Sequence, residues 1–170
     1  MRGNIFLFIF LVFLQIFVLN KILFFDYIIV SPIIMFLILL KYNKDSKQSL
    51  LVGFLLGLLI DIFNNSLGTY SIICITIIYF RNSWVLKVVG EERADELNLL
   101  SVQELGSFQF FYYSFPILFL FYSLLSFLEL EIIISLDNIL FIILSSITNY
   151  IIMLIFQYLF LKFNFKNEWR

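Results

Sequence analysis

Long apolar runs, broken by short polar punctuation, organise this chain from one end to the other. A helix that crosses a bilayer needs about 20 mostly apolar residues, with a range of roughly 17–25. Reading between charges, residues 3–20 carry none and predict a first span over 4–20. Residues 27–40 predict a second, only 14 residues long, whose flanking Lys41 and Tyr42 can reach the interface. Residues 105–128 and 138–161, 24 each, predict the last two spans.

The stretch 48–80 is 33 residues long with one charge, Asp61. As one helix it would extend about 50 Å, well beyond the ~30 Å hydrocarbon core. Asn64-Asn65-Ser66-Leu67-Gly68 gathers turn formers and a glycine that tolerates positive φ. The prediction is therefore a tight helical hairpin, 48–63 then 68–80. The whole chain, 1–170, reads as a single all-α membrane domain of six transmembrane helices with one sizeable loop, 81–104.

Charge tests that count independently. With six spans and both termini in the cytoplasm, ten of the eleven basic residues fall inside, and only Lys21 lies outside. Five spans would leave four inside and seven outside, so the positive-inside rule selects six and an N-in/C-in inner-membrane topology. The acidic Asp26, Glu129, Glu131 and Asp137 then lie outside, which is consistent but carries little orienting weight. Arg2 ahead of an apolar run resembles a secretory signal. The run lacks an A-x-A-like cleavage site and more spans follow, so a retained first helix is expected.

Composition narrows the chemistry. With 62% hydrophobic and 14% charged residues, against about 25% charged in an average soluble domain, lipid is the fitting solvent. The net charge of −1 and the absence of a basic run give no reason to expect nucleic acid as a partner. There is no histidine, and Cys74 is the single cysteine. Within one chain this excludes a Ser/His/Asp or Cys/His nucleophile system, a His-ligated metal and a disulfide. No catalytic, metal or cofactor residues are expected, and Cys74 reads as a small buried hydrophobe.

Asp61 is the one ionisable residue within a span. An Asp at a helix centre costs about 2.5–3.5 kcal/mol on insertion scales, so it has to serve some purpose. Gly53, Gly57 and Asp61 recur every fourth residue and share about 80° of the helix circumference. The glycines would let a neighbouring backbone approach and hide Asp61 from lipid. No basic residue is expected at its depth, which leaves a protonated carboxyl or one hydrogen-bonded to the turn. Its structural reading is a helix-end group that ties down the turn. The functional readings are a partner-helix contact or a protonation site, and the sequence leaves a homodimer open. Gln15, Thr76, Asn149 and Gln157 read as interhelical hydrogen-bonding groups, and Pro32 as the first turn of the second span. In the loop, Trp84, Val85, Val88 and Val89 have helical spacing, with Trp84 suited to the headgroup layer. Glu91-Glu92-Arg93-Ala94-Asp95-Glu96 reads as a solvated acidic patch or a docking surface for a cytoplasmic partner.

The run from Leu51 to Phe63, with Gly53, Gly57 and Asp61, followed by Leu67-Gly68 and Tyr79-Phe80-Arg81, resembles the signature of the rod-shape-determining MreD family. Members have six predicted helices, a third of the form G-x-x-x-G-x-x-x-D, a small turn ending in Gly and an Arg closing the fourth. Gly53, Gly57, Asp61, Gly68 and Arg81 are the matching positions. Pro32 and Phe127-Leu128-Glu129 are similar to the Bacteroidetes-like branch, whereas Tyr122-Ser123 stands where that branch often has histidines. The match covers about residues 28–82. The resemblance implies a non-enzymatic part in cell-wall elongation. The implied partners are an MreC-like periplasmic scaffold, an MreB-like filament and the peptidoglycan synthases. It also implies a fold similar to the substrate-binding subunits of vitamin transporters, so the alternative is a small-molecule transporter subunit with a pocket near Asp61.

Overall fold

The computed structural model describes residues 28–43, 46–129 and 136–160. These form seven helices: α1 (Pro32–Leu39), α2 (Ser46–Asn64), α3 (Thr69–Val88), α4 (Glu91–Glu96), α5 (Val102–Leu105), α6 (Ser107–Glu129) and α7 (Leu136–Phe160). No strand element occurs among the described residues. Four helices are long and apolar enough to cross a bilayer: Lys47–Asn64 in α2, α3 itself, Ser107–Leu128 in α6 and Leu136–Leu159 in α7. At ~1.5 Å per residue these 18 to 24 residues rise about 27–36 Å, which brackets the ~30 Å hydrocarbon core.

α2 and α3 form the expected hairpin, α3 packs on α6 and α6 on α7, while α1 lies against α3, α6 and α7. Around α1, Ile33, Ile34, Leu37 and Ile38 are buried together with Ile73 and Ile77 of α3 and with Ile117 and Phe121 of α6. The outward faces carry Leu51, Phe54, Leu55, Ile143, Ile147 and Ile151, as suits a lipid-facing surface.

Three expectations change here. The predicted helix 27–40 is helical only over Pro32–Leu39, and 28–31 is not helical. Sequence explains the late start. Ile28, Ile29 and Val30 are β-branched, Ser31 precedes a proline that disfavours α geometry before it, and Pro32 occupies the first turn of the helix. At eight residues α1 rises only about 12 Å. The fourth predicted span, 68–80, continues to Val88, so Arg81 lies inside a helix rather than at its end. Val85 is wholly buried, and the apolar spacing that suggested a surface helix instead extends α3 along α6. The rest of the expected loop 81–104 holds α4 and α5, whose Ala94 and Leu105 join the core with Leu100 between them. Arg93 fastens this layer, donating to Gln109 Oε1 (3.0 Å) and to the Glu104 carbonyl (2.8 Å). The other spans shift by at most two residues at their described ends, and the first, 4–20, lies outside the described residues.

Candidate functional site

Asp61 stands on the last turn of α2, facing the start of α3. Asn65 has φ 55° and the Ser66 amide reaches back to the Asp61 carbonyl (3.1 Å), a Schellman-type ending of α2. Gly68, with φ 88°, then redirects the chain into α3 and offers no side chain to cap it. The first amides of a helix have no partner within it and must find one elsewhere. Asp61 supplies it across the hairpin: the Tyr70 amide donates to Oδ1 (3.0 Å) and the Ser71 amide to Oδ2 (2.9 Å). Two hydroxyls complete the shell, Ser66 on Oδ1 (2.5 Å) and Ser71 on Oδ2 (2.6 Å).

A carboxylate offers about four lone-pair positions, and four donors fill them. The negative charge also faces the positive end of the α3 macrodipole. The hydrogen bonding expected from sequence is observed, and it reaches past the turn to the first amides of α3. Asp61 closes one hairpin end and opens the next helix.

That reach depends on how closely the two helices approach. A Cβ added to Gly57 would lie 2.5 Å from Ser71 Cα and 2.6 Å from the Tyr70 carbonyl oxygen. The α3 backbone therefore rests directly on the glycine, at the two residues whose amides Asp61 receives. At Gly53 the added atom would meet the Ile78 Cδ1 methyl and, at 3.3 Å, the Cys74 carbonyl oxygen. Cys74 itself is buried, as its apolar surroundings suggested. Gly53, Gly57 and Asp61 thus all face α3, and Gly68 makes the turn that leads into it. Beside it lies a cleft of about 400 Å³ whose walls include Phe54, Leu58 and Ile72, with Asp61, Ser66 and Ser71 supplying the polar groups.

Arg81 belongs elsewhere. It is fully buried ten residues along α3 from Ser71 and makes its bonds to neutral oxygens. Nε donates to the Tyr113 hydroxyl (2.8 Å), Nη1 to Asn82 Oδ1 (3.2 Å) and Nη2 to the Leu40 carbonyl. The Tyr113 hydroxyl in turn donates to the Ile38 carbonyl (2.7 Å). These carbonyls close the C-terminal end of α1, the negative end of its dipole. One buried charge starts α3 and the other finishes α1.

Among the described residues, no three His, Cys, Asp or Glu side chains gather as metal ligands. Ser66, Ser71 and Tyr113 were not singled out by sequence. The available signal was Gly68: a helix that starts on glycine inside lipid has to borrow its cap. Thr76 differs from expectation, since its hydroxyl bonds the Ile72 carbonyl of its own helix (2.8 Å) rather than a neighbour. Gln157 accepts from the Val102 amide (2.9 Å), joining α7 to α5, while Gln15 lies outside the described residues.

Fold and site together define an all-helical membrane protein with a glycine-packed hairpin. The chain matches no protein-family model, no curated protein and no solved structure.

Proposed function

We propose that this chain is a non-enzymatic subunit of the bacterial cell-wall elongation machinery, an MreD-like protein of the inner membrane with six crossings and both termini in the cytoplasm. The carrying observation is the hairpin. Four of the five positions of the resembled pattern have a mechanical role in this chain: Gly57 admits the α3 backbone, Asp61 caps it, Gly68 makes the turn and Arg81 closes α1. Roles of this kind suit a rigid scaffold that presents helix faces and the α4–α5 layer to partners. The partners are an MreC-like scaffold, an MreB-like filament and peptidoglycan synthases, with the bilayer as solvent.

The four long helices supply four crossings, and the proposed topology adds 4–20 and the segment containing α1. The ten basic residues on one side support the orientation.

A transporter subunit is the second reading, favoured by the cleft beside Asp61. Against it stands the filled hydrogen-bond shell of the carboxylate, which leaves no acceptor position for a ligand. Purification from mild detergent, with identification of co-purifying proteins, separates the two. Recovery of a periplasmic scaffold and a peptidoglycan synthase is expected, whereas recovery of an ATP-hydrolysing transport module would overturn the first reading.

A further inference from the structure

Asn149 is the fourteenth of the 25 residues of α7, at the middle of a helix long enough to cross the bilayer, and it is fully buried. Its side-chain amide does not bridge to another helix. Oδ1 accepts from the Ser31 amide (2.9 Å), and Nδ2 donates to the Ile29 carbonyl (2.7 Å) and to the Ser145 carbonyl of its own helix (2.8 Å). The carboxamide therefore reads residues 29 and 31 as a neighbouring β-strand would, one donor and one acceptor to alternate residues. Ser145 Oγ accepts from the Ile29 amide (3.2 Å), and the Tyr122 hydroxyl adds a second donor to the Ile29 carbonyl (3.1 Å). At the other end, Arg81 and Tyr113 hold the carbonyls of Leu40 and Ile38, and the Leu100 amide meets the Leu39 carbonyl (3.4 Å).

We infer that the second membrane crossing is a discontinuous element, an extended stretch at 28–31 followed by the helix α1, and that Asn149 makes this possible by bonding residues 29 and 31 in the pattern of a β-strand. Non-helical backbone at membrane depth survives only where protein satisfies its polar groups. The polar contacts above do so for residues 29 and 31. The direction also fits. Ile29 meets Tyr122 and Ile38 meets Tyr113, so the segment runs antiparallel to α6 and parallel to α7 along their length. The claim of a complete crossing rests on the six-crossing reading, whereas the discontinuity stands without it.

Two measurements test these parts separately, using full-length protein in a Cys74→Ser background. Nitroxide labels at Ile28→Cys and Lys41→Cys, measured by pulsed electron resonance in vesicles, should give a separation at least ~7 Å longer than the ~20 Å of a continuous helix. The helical distance would overturn the discontinuity. With Asn149→Leu added, the distance distribution should broaden, and a distribution as narrow as that of the parent would overturn the role of Asn149. Should the variant carrying Asn149→Leu fail to accumulate, the parent distance still decides the main claim. An impermeant maleimide should label Asp26→Cys and Asn43→Cys from opposite sides of the membrane, and labelling from the same side would overturn the crossing while leaving the distance result intact.

Discussion

The Trp84 indole donates to the Tyr112 carbonyl at 3.2 Å, and that carbonyl is the one Pro116 leaves without a helical partner. In an α-helix the amide of residue 116 would bond the carbonyl of residue 112, but proline has no amide hydrogen. In water the orphan would be hydrated, whereas at a membrane helix it needs a protein donor. α3 therefore repairs α6, and the length of α3 beyond residue 80 is what brings Trp84 there.

This coupling predicts a thermodynamic cycle. Trp84→Phe keeps the ring and loses the donor, and should destabilise the protein by about 1–2 kcal/mol with Pro116 present. In a Pro116→Ala background the Tyr112 carbonyl regains a helical amide, and the same change should cost clearly less. Unfolding by SDS titration from mixed micelles measures both, and equal costs in the two backgrounds would count against the repair.

The glycines predict an unequal pair. Gly57→Ala would press a methyl onto the Ser71 and Tyr70 backbone and should cost about 1–3 kcal/mol, because backbone cannot step aside without separating α2 from α3. Gly53→Ala meets the end of the Ile78 side chain, which can change rotamer, and should cost clearly less. The same titration decides, and a Gly53→Ala that proves the more damaging would contradict the hairpin geometry.

The hairpin was readable from sequence because its two signals agree. The run 48–80 is too long for one crossing, and Asn64 to Gly68 is rich in turn formers. The last two spans were readable for the plainer reason of uninterrupted apolar length. What sequence hid depends on contacts between distant residues. Nothing local indicates that Tyr113 reaches Ile38, or that the Asn149 amide serves residues 29 and 31 rather than another helix. The end of α3 is hidden because Arg81, a charge, reads in sequence as a membrane boundary. A guanidinium hydrogen-bonded at all three nitrogens can instead continue a helix through buried surroundings.

Arg81 also gives a test of geometry against charge. Lys keeps the charge but lacks the planar array that meets Tyr113, Asn82 and Leu40 together. Arg81→Lys should therefore lose much of what Arg81→Met loses, about 2–4 kcal/mol, since a buried ammonium with unmatched donors is itself costly. Tyr113→Phe breaks the same network and its cost should not add to that of Arg81→Met. Additive losses in the double variant would mean that the two residues act separately.

Topology has a direct check. Reporter fusions after Asn43 and Glu96 should read as cytoplasmic, and fusions at Asn65 and Glu131 as periplasmic. A periplasmic reading at Glu96 would remove the proposed orientation.

Asp61 offers the sharpest test, because its four partners set different expectations for two substitutions. Asp61→Leu removes every acceptor, orphans the Tyr70 and Ser71 amides at the start of α3 and should destabilise the hairpin by about 2–4 kcal/mol. Asp61→Asn keeps one oxygen but turns an NH₂ toward a backbone amide, and two donors cannot bond. The Ser66 and Ser71 hydroxyls can rotate to accept from that NH₂, whereas the amides cannot. Asn should thus lose one capping bond and fall between Asp and Leu, at about 1–2 kcal/mol. Under the proposed cell-wall role, complementation of a depletion strain, scored with the membrane level of each variant, should show shape control following protein level in the order Asp, Asn, Leu. A proton-exchanging carboxyl makes a different prediction. Asn would then accumulate normally and still fail as completely as Leu, since neither ionises. That result would turn Asp61 from a helix cap into a working group and favour the transport reading.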